Sequence, residues 1–134
     1  MSHSSDEHPL RWDIAEEHLD EAAFLFRQRE KDRVSPLYTL QELADGVEGR
    51  LLAHVDALVL GGPRVARRLL LPRLTAESEA ESFAAGFTLL GMGEEWLEAI
   101  LDVLLTGEPH QRDGLRHALS LAARPDLGPR LTAV

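Results

Sequence analysis

Apolar residues recur along this chain at alternating three- and four-residue steps, in successive stretches separated by glycine or proline. That spacing gathers them on one side of a 3.6-residue helix; a strand would alternate them. The first stretch carries Trp12, Ala15, Leu19, Ala22 and Phe26, widened by Ile14, Ala23 and Leu25, and predicts a helix from Pro9 to about Asp32. Ser35-Pro36 ends it, because the residue before a proline is pushed out of helical geometry. A second helix follows, with Leu40, Leu43, Val47, Leu51, Val55 and Leu58 on its apolar face. Thr39 is its predicted N-cap, Glu42 the reciprocal partner three residues on, and Tyr38 the staple onto Leu43. Gly46 and Gly49 inside this helix cost up to about 1 kcal/mol each relative to Ala. Either the helix bends there or another backbone comes close.

The stretch from Leu51 to Leu74, LLAHVDALVLGGPRVARRLLLPRL, reads as the end of one helix, a two-glycine break and the start of another. Gly61 is predicted to take the left-handed conformation that closes the second helix, and Pro63 suits the first turn of the third. Val65, Ala66, Leu69 and Leu70 then point inward and Arg64, Arg67 and Arg68 outward, with Pro72 ending or kinking the helix. Thr75 and Ser78 are both candidate caps for a fourth helix, whose inward residues are Phe83, Phe87 and Leu90. After Gly91-Met92-Gly93 comes a fifth, with Trp96, Leu97, Ile100, Val103 and Leu104 on one face and Glu95, Glu98 and Asp102 on the other. Thr106-Gly107-Glu108-Pro109 stops it. A sixth carries Leu115, Ala118, Leu119 and Ala122 inward, and Gly128-Pro129 reads as the start of a seventh. The chain stops barely a turn later, which suggests a piece of something longer or a last helix that needs a partner.

One feature of the pattern repeats. Phe83, Phe87 and Leu89 ahead of a break return as Leu115, Leu119 and Leu121 ahead of another, an offset of roughly 30 residues, the length of a helix-pair unit in an α-solenoid. The prediction is therefore all-α: antiparallel helix hairpins stacked as a short solenoid in one continuous domain. A flexible N-terminus covers 1–8, the N-terminal hairpins 9–74, and one to two helix pairs 75–134. A compact bundle is the rival arrangement.

Composition narrows the function. Apolar residues make up 44% and charged residues 28% of 134, enough for a real core and wrong for a disordered chain. The net charge of −9 argues against a general nucleic-acid binder, which needs a basic surface. With no cysteine there is no disulfide, thiolate metal site or thiol nucleophile. The start, MSHSSDEHP, lacks the basic and apolar regions of a signal peptide, and no apolar run approaches the ~20 residues of a membrane span. A cytoplasmic protein, off the membrane, is the expectation.

Three segments in order, RWDIAEEHLDEAAFLF (Arg11 to Phe26), SPLYTLQEL (Ser35 to Leu43) and RLLAHVDALVLGGPRVARRLLLP (Arg50 to Pro72), resemble the N-terminal part of an uncharacterised family of bacterial proteins with HEAT-like repeats, some linked to type VI secretion gene neighbourhoods. The resemblance implies HEAT-like stacking and a secretion or effector setting. It brings no catalytic motif. Family members are usually longer, so any function on their later repeats would be missing here.

Candidate chemistry is sparse. His18 and Glu21 share a helix face, but a di-iron bundle needs a second such motif and further glutamates. His54 and His117 are the other helical histidines and no HExxH occurs, so boundary histidines are expected, with no metal or cofactor. No serine sits in a nucleophile elbow. Gly61-Gly62-Pro63-Arg64 offers N–H groups at a helix start beside arginines, yet lacks a preceding strand and a phosphate-binding lysine, so a hairpin turn is expected. Charge segregation says more. Between Thr75 and Pro109 there are eight acids and no Lys or Arg, while Arg64 to Arg73 holds four arginines and no acid.

In a stack of helix pairs such blocks become acidic and basic docking surfaces. The expected function is a non-enzymatic protein-binding scaffold or adaptor, with Arg64, Arg67, Arg68, Glu95, Trp96, Glu98 and Asp102 as candidate contacts. Trp96 reads as core first and anchor second. The alternatives are a metal- or ligand-binding helical-repeat enzyme of lyase type, and an N-terminal module that pairs the first helix with a second copy.

Overall fold

The computed structural model describes residues 11–33 and 44–123, and every element among them is helical. Helix α1 spans Trp12–Arg33 and α2 spans Gly49–Val59, the latter entered through a π-helical turn, Ala44–Glu48. Helix α3, residues 62–73, is composite: α-helical over Gly62–Val65, π-helical over Ala66–Leu70 and α-helical again over Leu71–Arg73. Then come α4, Glu79–Met92, a 3₁₀ turn, Glu94–Trp96, α5, Leu97–Thr106, and α6, Pro109–Ala122. The expected N-cap at Thr39 with Glu42 and Tyr38, the residues Pro9, Leu40 and Leu43, the Ser35-Pro36 break and the seventh helix start lie outside the described residues.

The core is built round α4. Each residue from Ser82 to Leu89 is buried, so this helix has no solvent face along two turns. A helix that is apolar all round must sit at the centre of something. Here α1, α2, α3 and α6 all pack on it. Phe26 of α1 stacks on Phe83 with centroids 4.1 Å apart, and Phe83 in turn on Phe87 at 5.5 Å. The polar residues within this stretch satisfy themselves on backbone: the Thr88 hydroxyl donates to the Ala84 carbonyl at 2.7 Å and the Ser82 hydroxyl to that of Leu74 at 3.0 Å. Each thus avoids the penalty of a buried polar group without a partner.

Helices α4 and α6 make the most extensive pair. His110 and Gln111, at the start of α6, both donate to the Ala76 carbonyl just before α4, at 2.9 and 3.1 Å. Further on, Gly114 lies against Glu79 and Phe83, and Gly86 against Leu115 and Ala118. Contacts climb both helices together, so the two run in the same sense and α5 returns between them. Glycine permits the approach: a Cβ on Gly114 would meet the Glu79 carbonyl oxygen at 2.5 Å.

Caps and turns follow local chemistry. Of the two candidates ahead of α4, Ser78 is the cap, its hydroxyl accepting from the Glu81 N–H at 3.2 Å, while Thr75 donates to the Pro72 carbonyl. Glu108 and Gln111 form a capping box at α6 with Pro109 in its first turn. At the hairpin, the left-handed residue is Gly62, with φ of 70°, and not Gly61, whose φ of −71° is helical. Gly61 is held to glycine by space instead, since a Cβ there would meet Val65 Cγ2 at 2.3 Å. Pro63 stands in the first turn of α3, as expected. Within α3 the Leu71 N–H reaches back five residues to the Ala66 carbonyl, a widened turn directly before Pro72. Proline supplies no N–H and crowds the carbonyl four residues back, so a π turn lets the helix pass it. Gly46 lies in the π turn Ala44–Glu48, and a Cβ on it would meet nothing within 4 Å. Among the described residues no backbone comes close to Gly46.

Most predicted inward residues are buried: Leu19, Ala22, Ala23, Leu25 and Phe26 on α1, Val47, Leu51, Val55 and Leu58 ahead of the hairpin, and Val65, Ala66, Leu69 and Leu70 on α3. Four are not. Ile14 is exposed, Leu90 and Leu119 are only half-buried, and Leu97 faces outward. Among the described residues no helix is long and apolar enough to cross a membrane.

Candidate functional site

Of the seven candidate contacts, six are exposed and Trp96 is buried. The basic block is engaged with tryptophans. The Arg68 guanidinium lies 4.3 Å from the centroid of Trp12 on α1, and the Arg67 guanidinium 5.6 Å from that of Trp96 ahead of α5. Such cation–π contacts contribute about 0.5–1 kcal/mol at exposed sites. Two adjacent arginines on the π turn of α3 therefore tie down both tryptophans of the chain. Arg73 is paired as well, 3.4 Å from both Asp20 and Glu81. The sequence reading placed acidic and basic blocks on separate faces; Arg67 over Trp96 joins them at the entrance to α5.

The acidic block gives α5 its character. Glu98 and Asp102 are exposed along the helix, and Glu94 and Glu95 precede it. The predicted inward face was Trp96, Leu97, Ile100, Val103 and Leu104, but Trp96, Ile100 and Val103 alone are buried, with Leu104 half-buried. Leu97, Leu101 and Leu105 are 36%, 46% and 78% exposed. At 100° per residue, the apolar residues from Val103 round to Leu105 cover roughly 200° of the helix, twice the arc a single core-facing stripe needs. The core covers part of that arc. What remains is an outward leucine row at i, i+4 and i+8, with Glu98 and Asp102 along the side away from the core. Beside Trp96, a shallow cavity of about 150 Å³ is lined by Val59, Gly62, Pro63, Met92 and Glu95.

The histidines have partners that spacing alone did not give. His18 Nδ1 on α1 lies 2.8 Å from His54 Nδ1 on α2, with ring centroids 5.1 Å apart. The pair opens on a shallow pocket whose other lining residues are Glu17, Asp20 and Glu21. Burial holds His54 below the ordinary histidine range, the charge of His18 adds to that, and Glu21 opposes it. His117 sits 3.4 Å from Glu79 and turns its edge to Phe26. Among the described residues no three His, Asp or Glu side chains form a group that could hold a metal ion. No protein-family model, curated protein or solved structure matches the chain.

Proposed function

We propose that this chain is a non-enzymatic docking module of the HEAT-like repeat type, and that α5 is its contact helix. The observation that carries the reading is the outward row of Leu97, Leu101 and Leu105, bordered along its outer side by Glu98 and Asp102. Fully burying a leucine is worth about 1.5–3 kcal/mol in proportion to the area removed from water, and the exposed parts of these three leave some of that to be gained from a partner. Apolar anchors at helical spacing with acids alongside suit a partner helix with its own apolar stripe and flanking Lys or Arg. The chain's net charge of −9 favours capture of such a partner. The shared direction of α4 and α6, with α5 returning between them, supports a helical-repeat origin, because equivalent helices of successive units run parallel. The resemblance of the sequence to bacterial HEAT-like proteins extends the proposal to a cytoplasmic adaptor of a type VI secretion or effector system.

The test is affinity capture from a bacterial lysate with the wild-type chain, L101E/L105E, and R64E/R67E/R68E, followed by competition with a synthetic peptide of the captured partner's basic helix. Capture lost in L101E/L105E and displaced by the peptide is the expected result. Loss confined to the arginine variant, with capture intact in L101E/L105E, would move the site to α3 and overturn the assignment to α5.

A further inference from the structure

The histidine pair is independent of the docking surface. We propose that His18 and His54 form a one-proton latch between α1 and α2, closed while the two rings hold two or three ring protons between them and opened by the fourth.

The geometry fixes the count. A ring nitrogen lies about 1.1 Å from its centroid, so two nitrogens 2.8 Å apart with centroids at 5.1 Å face each other almost head-on. That is a hydrogen-bond arrangement, and it needs one Nδ1–H and one bare Nδ1. Two neutral rings supply it when one carries its proton on Nδ1. One imidazolium and one neutral ring supply it too, and a charge-assisted bond is the stronger. Two imidazolium rings do not: both Nδ1 atoms then bear hydrogen and two positive charges stand within about 3 Å. The rings are half-buried, next in sequence to the core residues Leu19 and Val55, so their backbone positions are set by the packing of α1 on α2.

The surroundings bear on the first proton and the second differently. From α1, Glu17, Asp20 and Glu21 line the same pocket; from α2, Arg50 acts on His54 with the opposite sign; and Arg73 of α3 neutralises Asp20 at 3.4 Å. Glu21 favours a positive charge on His54, against burial and Arg50. A second charge must face the first across the hydrogen bond, so the two protonations belong to the pair and not to either ring alone. The contact joins helices that pack side by side, and its loss on acidification loosens α1 from α2 while the centre around α4 stays shut.

The experiment uses the full chain labelled with ¹⁵N. Long-range imidazole spectra from pH 8 to 4.5 report tautomer and protonation at each ring, and amide hydrogen exchange, corrected for its intrinsic pH dependence, reports opening. The expected result is one Nδ1–H shared between the rings at pH 7.5, a two-step titration, and faster exchange in α1 and α2 than in α4 below the second step. His54→Gln, which keeps a polar side chain but cannot titrate, should flatten that exchange profile and return His18 to a single step. His18→Gln serves the same purpose should the first variant fold poorly. Two independent one-step titrations in the wild type, or an exchange profile unchanged in both variants, would overturn the latch.

Discussion

Gly114 shows how much one missing methyl group decides. A Cβ there would stand 2.5 Å from the Glu79 carbonyl oxygen, 3.0 Å from the Phe83 nitrogen and 3.2 Å from Ser82 Cβ. Two of these three atoms are backbone, so α4 and α6 would have to part. Overpacking of this kind costs about 1–3 kcal/mol, against a gain of roughly 1 kcal/mol from replacing glycine within a helix. Gly114→Ala should therefore lower stability by up to about 2 kcal/mol in urea unfolding, whereas Gly46→Ala, with open space around it, should be neutral or stabilising. A midpoint raised in Gly114→Ala would show that the helices are less close than described. Local chemistry of this sort is partly legible from sequence. Ser78 as cap and Pro63 in a first turn follow from what those side chains can and cannot do. Gly61 and Gly62 could not be told apart, because both lack a Cβ and only the position of Val65 separates their roles. The pairing of His18 with His54 spans 36 residues, and no local rule reaches that far.

At the scale of the element, α5 is where pattern and structure part. Its apolar arc is so wide that sequence gives no single inward direction, and the two ends of the arc compete for the core. Ile100, fully buried, wins; Leu105, 78% exposed, loses. Ile100→Ala should cost about 2–4 kcal/mol through lost burial and a cavity. Leu105→Ala should change stability by less than about 0.5 kcal/mol, as surface substitutions do. Thermal unfolding of the two variants checks this, and a comparable loss in both would mean that Leu105 is covered within the chain itself. By contrast, α2 and α3 have narrower apolar faces and bury the residues their periodicity names. Helix α4 was legible as a helix but not as the centre: Phe83, Phe87 and Leu90 mark one stripe, while the burial of Ala84, Ala85, Gly86 and Thr88 comes from neighbours on every side.

Over the whole molecule, the all-helical class was plain in the spacing, and the absence of strands among the described residues agrees with it. The arrangement depends on long-range packing. Here α4 is enclosed by α1 and α2 from one half of the chain and by α6 from the other, so its burial is complete only when both halves are present. The turn at 75–77, with Thr75 and Glu77 exposed, lies between those halves. Cut after Thr75, the chain becomes two fragments, 1–75 lacking its central helix and 76–134 lacking most of the wall around it. Each should show little helical circular dichroism alone and recover it on mixing, with a single cooperative melt. The chain is thus a natural candidate for fragment complementation: two inert pieces that report, by folding, that they have been brought together.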